Sequence, residues 1–371
     1  MNISKNDIEE FINCNEDNDI NTIVDELYHI YNITENYQYY IINQLVTTCL
    51  KEKEEKQELY EKRRMILNQL KKLELPEQRS IEWYELRKKI LTASSLGSAL
   101  DKCHFTSRDE LLLSKIEEAP FIGNEITEWG VKYEDVAIMF YEELYHVNVL
   151  EFGLIPHPEF EIFGASPDGI CDDTGNDEYI GRMVEIKCPP KRKFTKTVPE
   201  HYYMQVQGQL EVCDLDECDF FQVKLEEYES KDEYLKDYFE IDGELIHGRT
   251  QLNFPKGVTI TYKIDDKLIY KYCKFNQTIE LLDQWINEQS TENLYEIKWW
   301  KIIRYETTLV IRDKIWWNNI IEKILKFYND LIYYQQSDNL IKLKDEIQKK
   351  KNKKRKKHEI KELDKFLLID D

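Results

Sequence analysis

Ala165-Ser166-Pro167-Asp168-Gly169-Ile170-Cys171, followed after a polar turn by Met183-Val184-Glu185-Ile186-Lys187-Cys188-Pro189, is the stretch on which the reading of this chain turns. It predicts a β-hairpin that carries three charged groups to one place. Asp168 stands between a proline and a glycine, which favours a sharp bend. Glu185 and Lys187 flank Ile186, so on a strand both charged side chains share one face and Ile186 takes the other. Met183, Val184 and Ile186 make that strand apolar enough to be internal, where a carboxylate and an ammonium are costly without partners. A divalent cation between Asp168 and Glu185 would supply the partner. Hard oxygen donors, with water completing the shell, suit Mg2+ or Mn2+. The competing reading is a surface hairpin whose Glu185 and Lys187 form a weak exposed ion pair. The bend, the apolar second strand and the Cys188-Pro189 stop, taken together, weigh against it.

The chain of 371 residues is long enough to bury one large core or two modest ones. No apolar run reaches the length of a membrane span. The first residues lack the basic and apolar regions of a signal peptide. Eight scattered cysteines form no Cys-x-x-Cys pair, so zinc is not expected. Free thiols place the chain in a reducing, intracellular compartment such as cytoplasm or nucleus. The net charge of −21 is awkward for a nucleic-acid binder. Whole-chain charge, however, speaks to encounter and solubility rather than to a local groove. Positive charge gathers in two places, residues 187–196 and 349–361. No Gly-rich phosphate loop is present, which argues against ATP use.

Residues 1–78 read as a helical, acidic accessory region, with an apolar patch over 37–46 and a Lys/Glu-rich helix over 51–75. Residues 79–335 read as the main domain and 336–371 as a basic tail. Trp83, Leu86 and Ile90 fit one helical face, and Thr92 or Ser94 fits the N-cap of a helix over 95–100. A helix N-terminus beside Arg87 is a natural phosphate site, though most capping serines only cap. A long helix is predicted over 122–146, with Gly130 and Glu134 on one face and the glycine permitting close approach to the sheet. Strands are predicted over 147–155 and 160–165. Lys191, Arg192 and Lys193 form either a solvated charge run or a phosphate-contacting rim, and their place directly after Lys187 favours the rim. Pro199 opens a helix in which Gln205 and Gln209 share a face. Further strands are expected over 220–225, 234–241, 258–264, 270–275 and 295–311, then a helix over 316–334. Trp299, Trp300, Trp316 and Trp317 read as core or subunit interface, with base stacking as the lesser alternative. The run over 349–357 is a flexible DNA-binding arm, an import signal or a solvated helix continuation.

The motifs over 81–209 resemble the lambda-exonuclease or YqaJ-type viral recombinase branch of the PD-(D/E)XK nucleases. The resemblance is carried by Trp83-x-x-x-Arg87 with Thr92-Ala93-Ser94, by Gly130-x-x-x-Glu134, and by Ser166-Pro167-Asp168-Gly169. Glu185-Ile186-Lys187-Cys188-Pro189 and Tyr202-x-x-Gln205-Val206-Gln207 complete it. It implies an α/β, restriction-endonuclease-like core, with a central mixed sheet flanked by helices and an extra helical N-terminal region. It implies that Asp168, Glu185, Glu134 and the carbonyl of Ile186 hold Mg2+, with Mn2+ able to substitute, and that Lys187 orients or deprotonates the attacking water. Gln205 and Tyr202 would lie near the scissile phosphate, and Arg87 and Ser94 would hold a 5′ phosphate, with Ser166 as a third contact. The implied activity is Mg2+-dependent, 5′→3′ exonuclease action on double-stranded DNA ends in viral-type recombination or repair. The alternatives are an end-directed endonuclease and a catalytically silent end-binding protein. A single-strand annealing protein is the implied partner, a trimer the oligomer by analogy, and a viral factory a further location.

Overall fold

The structure is a computed structural model. It describes residues 3–15, 18–33, 35–117, 124–265 and 267–367, with side chains described as far as Lys353. The chain divides into two compact units, Met1–Gln69 and Leu70–Asp371.

The first unit is helical: α1 (Lys5–Cys14), α2 (Ile20–Ile30) and α3 (Asn36–Leu70). Ser4 and Asp7 close a capping box on α1, and the Asp19 carboxylate caps α2. Ile8, Ile12, Ile23, Val24, Leu27, Ile42 and Val46 form its core. The apolar patch over 37–46 and the charged stretch after it are one continuous helix, because no proline or glycine interrupts residues 36–70. That helix stops at Leu70, short of the expected end at 75.

The second unit opens with α4 (Ile81–Lys89), capped by Ser80, and β1 (Leu91–Thr92). Next come a 3-10 turn over Ala93–Ser95 and the single turn α5 (Leu96–Ala99). The helix expected over 95–100 is therefore only one turn, and Thr92 makes no side-chain cap. Its hydroxyl instead meets those of Ser94 and Ser95, at 3.1 and 3.2 Å. There follow α6 (Arg108–Ile116) and α7 (Glu125–Tyr145). The predicted start of α7 at 122 lies outside the described residues.

The strand expected over 147–155 is two short pieces in different sheets, β2 (Val149–Leu150) and β3 (Ile155–Pro156). Gly153 between them packs so closely on the Pro76 carbonyl that no side chain fits. β3 pairs with β4 (Phe163–Ala165), which also takes β1 in parallel. Then come β5 (Gly169–Cys171), β6 (Met183–Lys187), α8 (Glu200–Cys213) and β7 (Glu217–Glu227). The segment expected as a strand over 234–241 begins as helix α9 (Lys231–Lys236), capped by Ser230, and only its end is β8 (Phe239–Ile241). The order continues with β9 (Glu244–Ile246), β10 (Lys256–Ile264), β11 (Lys267–Tyr272), α10 (Ile279–Asn287), β12 (Leu294–Ile311), α11 (Lys314–Tyr334) and α12 (Ser337–Leu367).

The main sheet has seven strands in the order β11-β10-β12-β7-β6-β5-β2. β6 and β7 are parallel, joined by the crossover α8, and the other pairs are antiparallel. This is the mixed α/β sheet flanked by helices, with a helical N-terminal region, that the sequence leads one to expect. β6 is internal, and Val184 and Ile186 pack with Tyr133, Val136, Ala137 and Phe140 of α7 and with Phe221 and Val223 of β7. Trp300 is fully buried in the same core, while Trp299 and Trp317 are also buried. All eight cysteines are unpaired.

The run over 349–353 is helical, being part of α12, as the helix-continuation reading has it. Leu343 and Ile347 are buried, and Lys344, Lys350 and Lys351 pair with Glu117, Asp109 and Glu110 on or beside α6.

Gln207 ties α8 to the far end of the sheet. Its Nε2 donates to the Ile311 carbonyl at 2.8 Å, and its Oε1 accepts from the Asp313 N–H at 2.6 Å. The side chain is 1% exposed. Gln207→Ala strands a buried donor and a buried acceptor, so it is expected to destabilise the chain by roughly 1–3 kcal/mol in urea unfolding.

Candidate active site

The predicted bend and strand do come together. Ile186 N–H donates to Asp168 Oδ2 at 2.7 Å, which pins the loop between β4 and β5 against β6. Gly169 allows the close approach of β5 to β2, since a Cβ there would sit 2.1 Å from Cγ1 of Val149. The alternation along β6 works as expected. Ile186 enters the α7-facing core, while Glu185 and Lys187 share the opposite face and form an ion pair.

Glu185 is fully buried, at 0% exposure. Its Oε1 accepts from Lys187 Nζ and from Gln205 Nε2, the latter at 2.6 Å, and its Oε2 accepts from Gln209 Nε2 at 2.7 Å. Both glutamines come from one face of α8, four residues apart. Gln205 is thus a partner of Glu185. Gln209, which carries no role in the sequence reading, is the matching second clamp. Its i, i+4 spacing from Gln205 was the available signal. Among the described residues the buried Gln209 Oε1 has no hydrogen-bond partner.

Glu134 of α7 lies in the same electrostatic neighbourhood, and its Oε1 accepts from Arg79 Nη2 at 2.7 Å. Arg79, just outside α4, is a second residue the sequence did not single out. Gly130 does not act as expected: its surroundings are open, so it is not what brings helix and sheet together. Large buried side chains such as Tyr133 and Phe140 make that contact.

The charges are unbalanced. Burial, then the nearby Glu185, lifts the Asp168 carboxyl well above its ordinary value, and Lys187 opposes the lift. Burial also raises Glu134, against the pull of Arg79. Burial alone would lower Lys187, but Glu185 and Asp168 overcome it and raise the ammonium, so it holds its proton. Among the described residues no three His, Cys, Asp or Glu side chains stand as a ready-made metal cluster. Lys187 and Arg79 hold two of the acids instead. The donor chemistry nonetheless fits a hard cation: the acids offer oxygen only, and three carboxylates, Asp168, Glu134 and Glu185, share the place with two cations, Lys187 and Arg79.

A second constellation surrounds Arg87. Its guanidinium lies 4.2 Å over the Trp83 ring, and Nη2 donates to Ser94 Oγ at 2.9 Å. Among the described residues it has no carboxylate partner, and burial lowers it from its usual value. Lys115 of α6 lies alongside, donating to the carbonyls of Ile90 at 2.6 Å and Arg87 at 2.9 Å. Burial, then Arg87, pushes Lys115 down to about 8. Among the described residues neither cation has a counter-ion, which is the chemistry an anion site requires. Lys115 could not be picked out from sequence, because a lone helical lysine carries no signal. Ser166 is otherwise engaged: its hydroxyl accepts from Trp83 Nε1 and donates to the Gly153 carbonyl, both at 3.0 Å.

The Tyr202 ring lies under Lys187 Nζ at 5.0 Å and near Arg192 at 5.8 Å. Arg192 donates to Gln222 Oε1 at 2.9 Å, whereas Lys191 and Lys193 are exposed.

Residues 82–216 match the family model of the YqaJ-like viral recombinase domain. This stretch is similar to a YqaJ-like domain. It runs from α4 to the start of β7 and contains Arg87, Ser94, Glu134, Asp168, Glu185, Lys187, Gln205 and Gln209. An uncharacterized protein of Acanthamoeba polyphaga mimivirus is 31% identical over 333 residues, covering 80% of this chain. The chain spans 60% of the length of that relative. Among solved structures, the chain is similar to an alkaline exonuclease (LHK-Exo) from Laribacter hongkongensis. Identity is 20%, with 74% of this chain and 99% of that one covered, at a TM-score of 0.41. It is also similar to a phage related exonuclease from Haemophilus somnus 129PT, at 16% identity, 67% and 96% coverage and a TM-score of 0.36. Outside the matched residues lie β7, β10, β11 and β12, which continue the main sheet, and α11 and α12, which pack on α6.

Proposed function

We propose that this protein is a divalent-metal-dependent deoxyribonuclease that digests double-stranded DNA 5′→3′ from its ends, in viral-type recombination or repair. The observation that carries the reading is Glu185, buried and clamped by Lys187, Gln205 and Gln209 beside two further carboxylates whose charge lacks full compensation. Asp168, Glu185, Glu134 and the carbonyl of Ile186 would hold Mg2+, or Mn2+ in its place. When bound, such a cation supplies a lower pKa for water and neutralises charge on the phosphoryl oxygens.

The protein's own residues do the rest. Lys187, held protonated, hydrogen-bonds and orients the incoming water. Gln205 and Gln209 fix the Glu185 carboxylate so that it does not rotate away. Water oxygen bonds to phosphorus, the P–O3′ bond breaks, and O3′ takes a proton. That cleavage leaves a new 5′ phosphate on the remaining strand. Arg87, Ser94 and Lys115 provide the anion site that would receive it, so each turnover regenerates the group the enzyme grips.

The test is Mg2+-dependent nucleotide release from a linear duplex with and without a 5′ phosphate. Equal cutting of covalently closed circles would make the protein an endonuclease instead. Binding without hydrolysis would make it an end-binding protein. Arg87→Ala is expected to erase at least about tenfold of preference for phosphorylated ends, a charge-assisted contact being worth roughly 1.5–3 kcal/mol. Equal weakening on both kinds of end would reject the anchoring role. The absence of a membrane-spanning helix among the described residues and eight unpaired thiols are in keeping with an intracellular setting.

A further inference from the structure

Phe105 sits in the loop between α5 and α6 and is 79% exposed. Many large apolar side chains of this chain are exposed, and what sets Phe105 apart is the run of rings behind it. Its ring meets His201 edge-on, at 5.9 Å and 79°. His201 is itself fixed: the chain at Gly97 approaches so closely that a Cβ there would lie 2.8 Å from the His201 Cβ. His201 then packs on Tyr202 at 4.1 Å, and Tyr202 lies under Lys187. His104, on the same loop, faces His201 at 6.4 Å. The rings form a short stair that starts at the Glu185–Lys187 pair and ends on an uncovered face. Arg192 lies beside Tyr202, the first ring of the stair.

Aromatic faces alternating with cations are what single-stranded nucleic acid binds: bases stack on the rings while phosphates meet the charges. Burial, with His104 and Arg192 next, lowers His201, so at neutral pH it is an uncharged ring. We propose that Phe105, backed by His201, is a stacking platform for an unpaired base of the strand whose scissile phosphate lies at Glu185 and Lys187. Stacking there would fix the register of that strand over the carboxylates. This rests on the nuclease reading and adds to it a residue that touches a base instead of a phosphate.

The test uses the full-length protein and a duplex with a short single-stranded end, bound in Ca2+ and cut in Mg2+. An abasic nucleotide is moved through the terminal positions. At one position the wild type is expected to lose about tenfold or more in affinity, and Phe105→Ala to show the same loss on intact DNA with no further loss from the abasic site. Phe105→Trp should bind as the wild type does. Hydrolysis of thymidine 5′-p-nitrophenyl phosphate, which has no neighbouring base, should be the same in all three proteins. If Phe105→Ala binds like the wild type, or if the abasic penalty is equal in both at every position, the platform is overturned while the nuclease stands. A wild type that neither binds nor cuts any of these substrates overturns both.

Discussion

Lys187→Ala is expected to slow DNA hydrolysis by about 10³-fold and also to destabilise the folded chain by on the order of 3 kcal/mol. The two losses share one cause. Glu185 is completely buried and its Oε1 accepts from the ammonium. Without Lys187 that carboxylate keeps only two neutral amide donors, with Asp168 and Glu134 still close by. Lys187 is 22% exposed, so water can enter the vacated space and moderate the cost. Adding Mg2+ should restore part of the stability, because an ion that binds only the folded state stabilises it by mass action. It should not restore the rate, since the group that orients water is gone. Urea unfolding with and without Mg2+, set beside the rate on a linear duplex, reads all three effects. A variant with the wild-type unfolding midpoint and the wild-type rate would remove Lys187 from the site.

Asp168→Asn should move stability the other way. Hydrolysis is expected to fall by about 10³-fold or more, yet the metal-free protein should become more stable at neutral pH by on the order of 1 kcal/mol. Asparagine keeps an oxygen for the Ile186 N–H and removes a charge that Glu185 repels. The sign with pH follows from the raised Asp168 value. A carboxyl whose folded pKa lies above its unfolded one is neutral in both states below roughly pH 4, so there the variant and wild type should match. As pH rises past that point the unfolded acid ionises more readily than the folded one, and the wild type loses ground until the folded acid has ionised too. The advantage of Asp168→Asn therefore grows from about pH 4 upward and then levels off. Equal stability of the two proteins from pH 4 to 8 would show that Asp168 does not share the charge problem of Glu185.

The opposite signs of these effects separate this centre from an ordinary surface ion pair. In a solvated pair, loss of either partner costs up to about 1 kcal/mol and the sign does not depend on which is removed. Here there are more acids than bases in a partly dry space, so removing an acid relieves the site and removing the base worsens it.

What could be read from the residues was local. The period of two in Met183-Val184-Glu185-Ile186-Lys187 sets which side chains share a face, and Pro167-Asp168-Gly169 sets a bend, before any partner strand is known. The long helices were legible for the same reason, from their spacing and the lack of breakers. Elements that exist only through a partner were misjudged. Residues 147–155 became two short pieces in different sheets. For the 349–357 run the sequence left three readings open, and its start lies in a helix whose Lys350 and Lys351 find acids on α6. The expected cap at Thr92 dissolved into a hydroxyl cluster.

The amino-acid order by itself determined that one strand would present a carboxylate and an ammonium together, and that a bend would precede it, because neighbours two apart on an extended chain must point the same way. Only the tertiary structure decided that Gln209 would seize the second oxygen of Glu185, that Arg79 would answer Glu134, and that Lys115 would join Arg87. Those partners lie from 24 to 55 residues apart in sequence. Their meeting is fixed by the crossover of α8 and by how α6 and α7 pack, and no local periodicity records a contact of that kind.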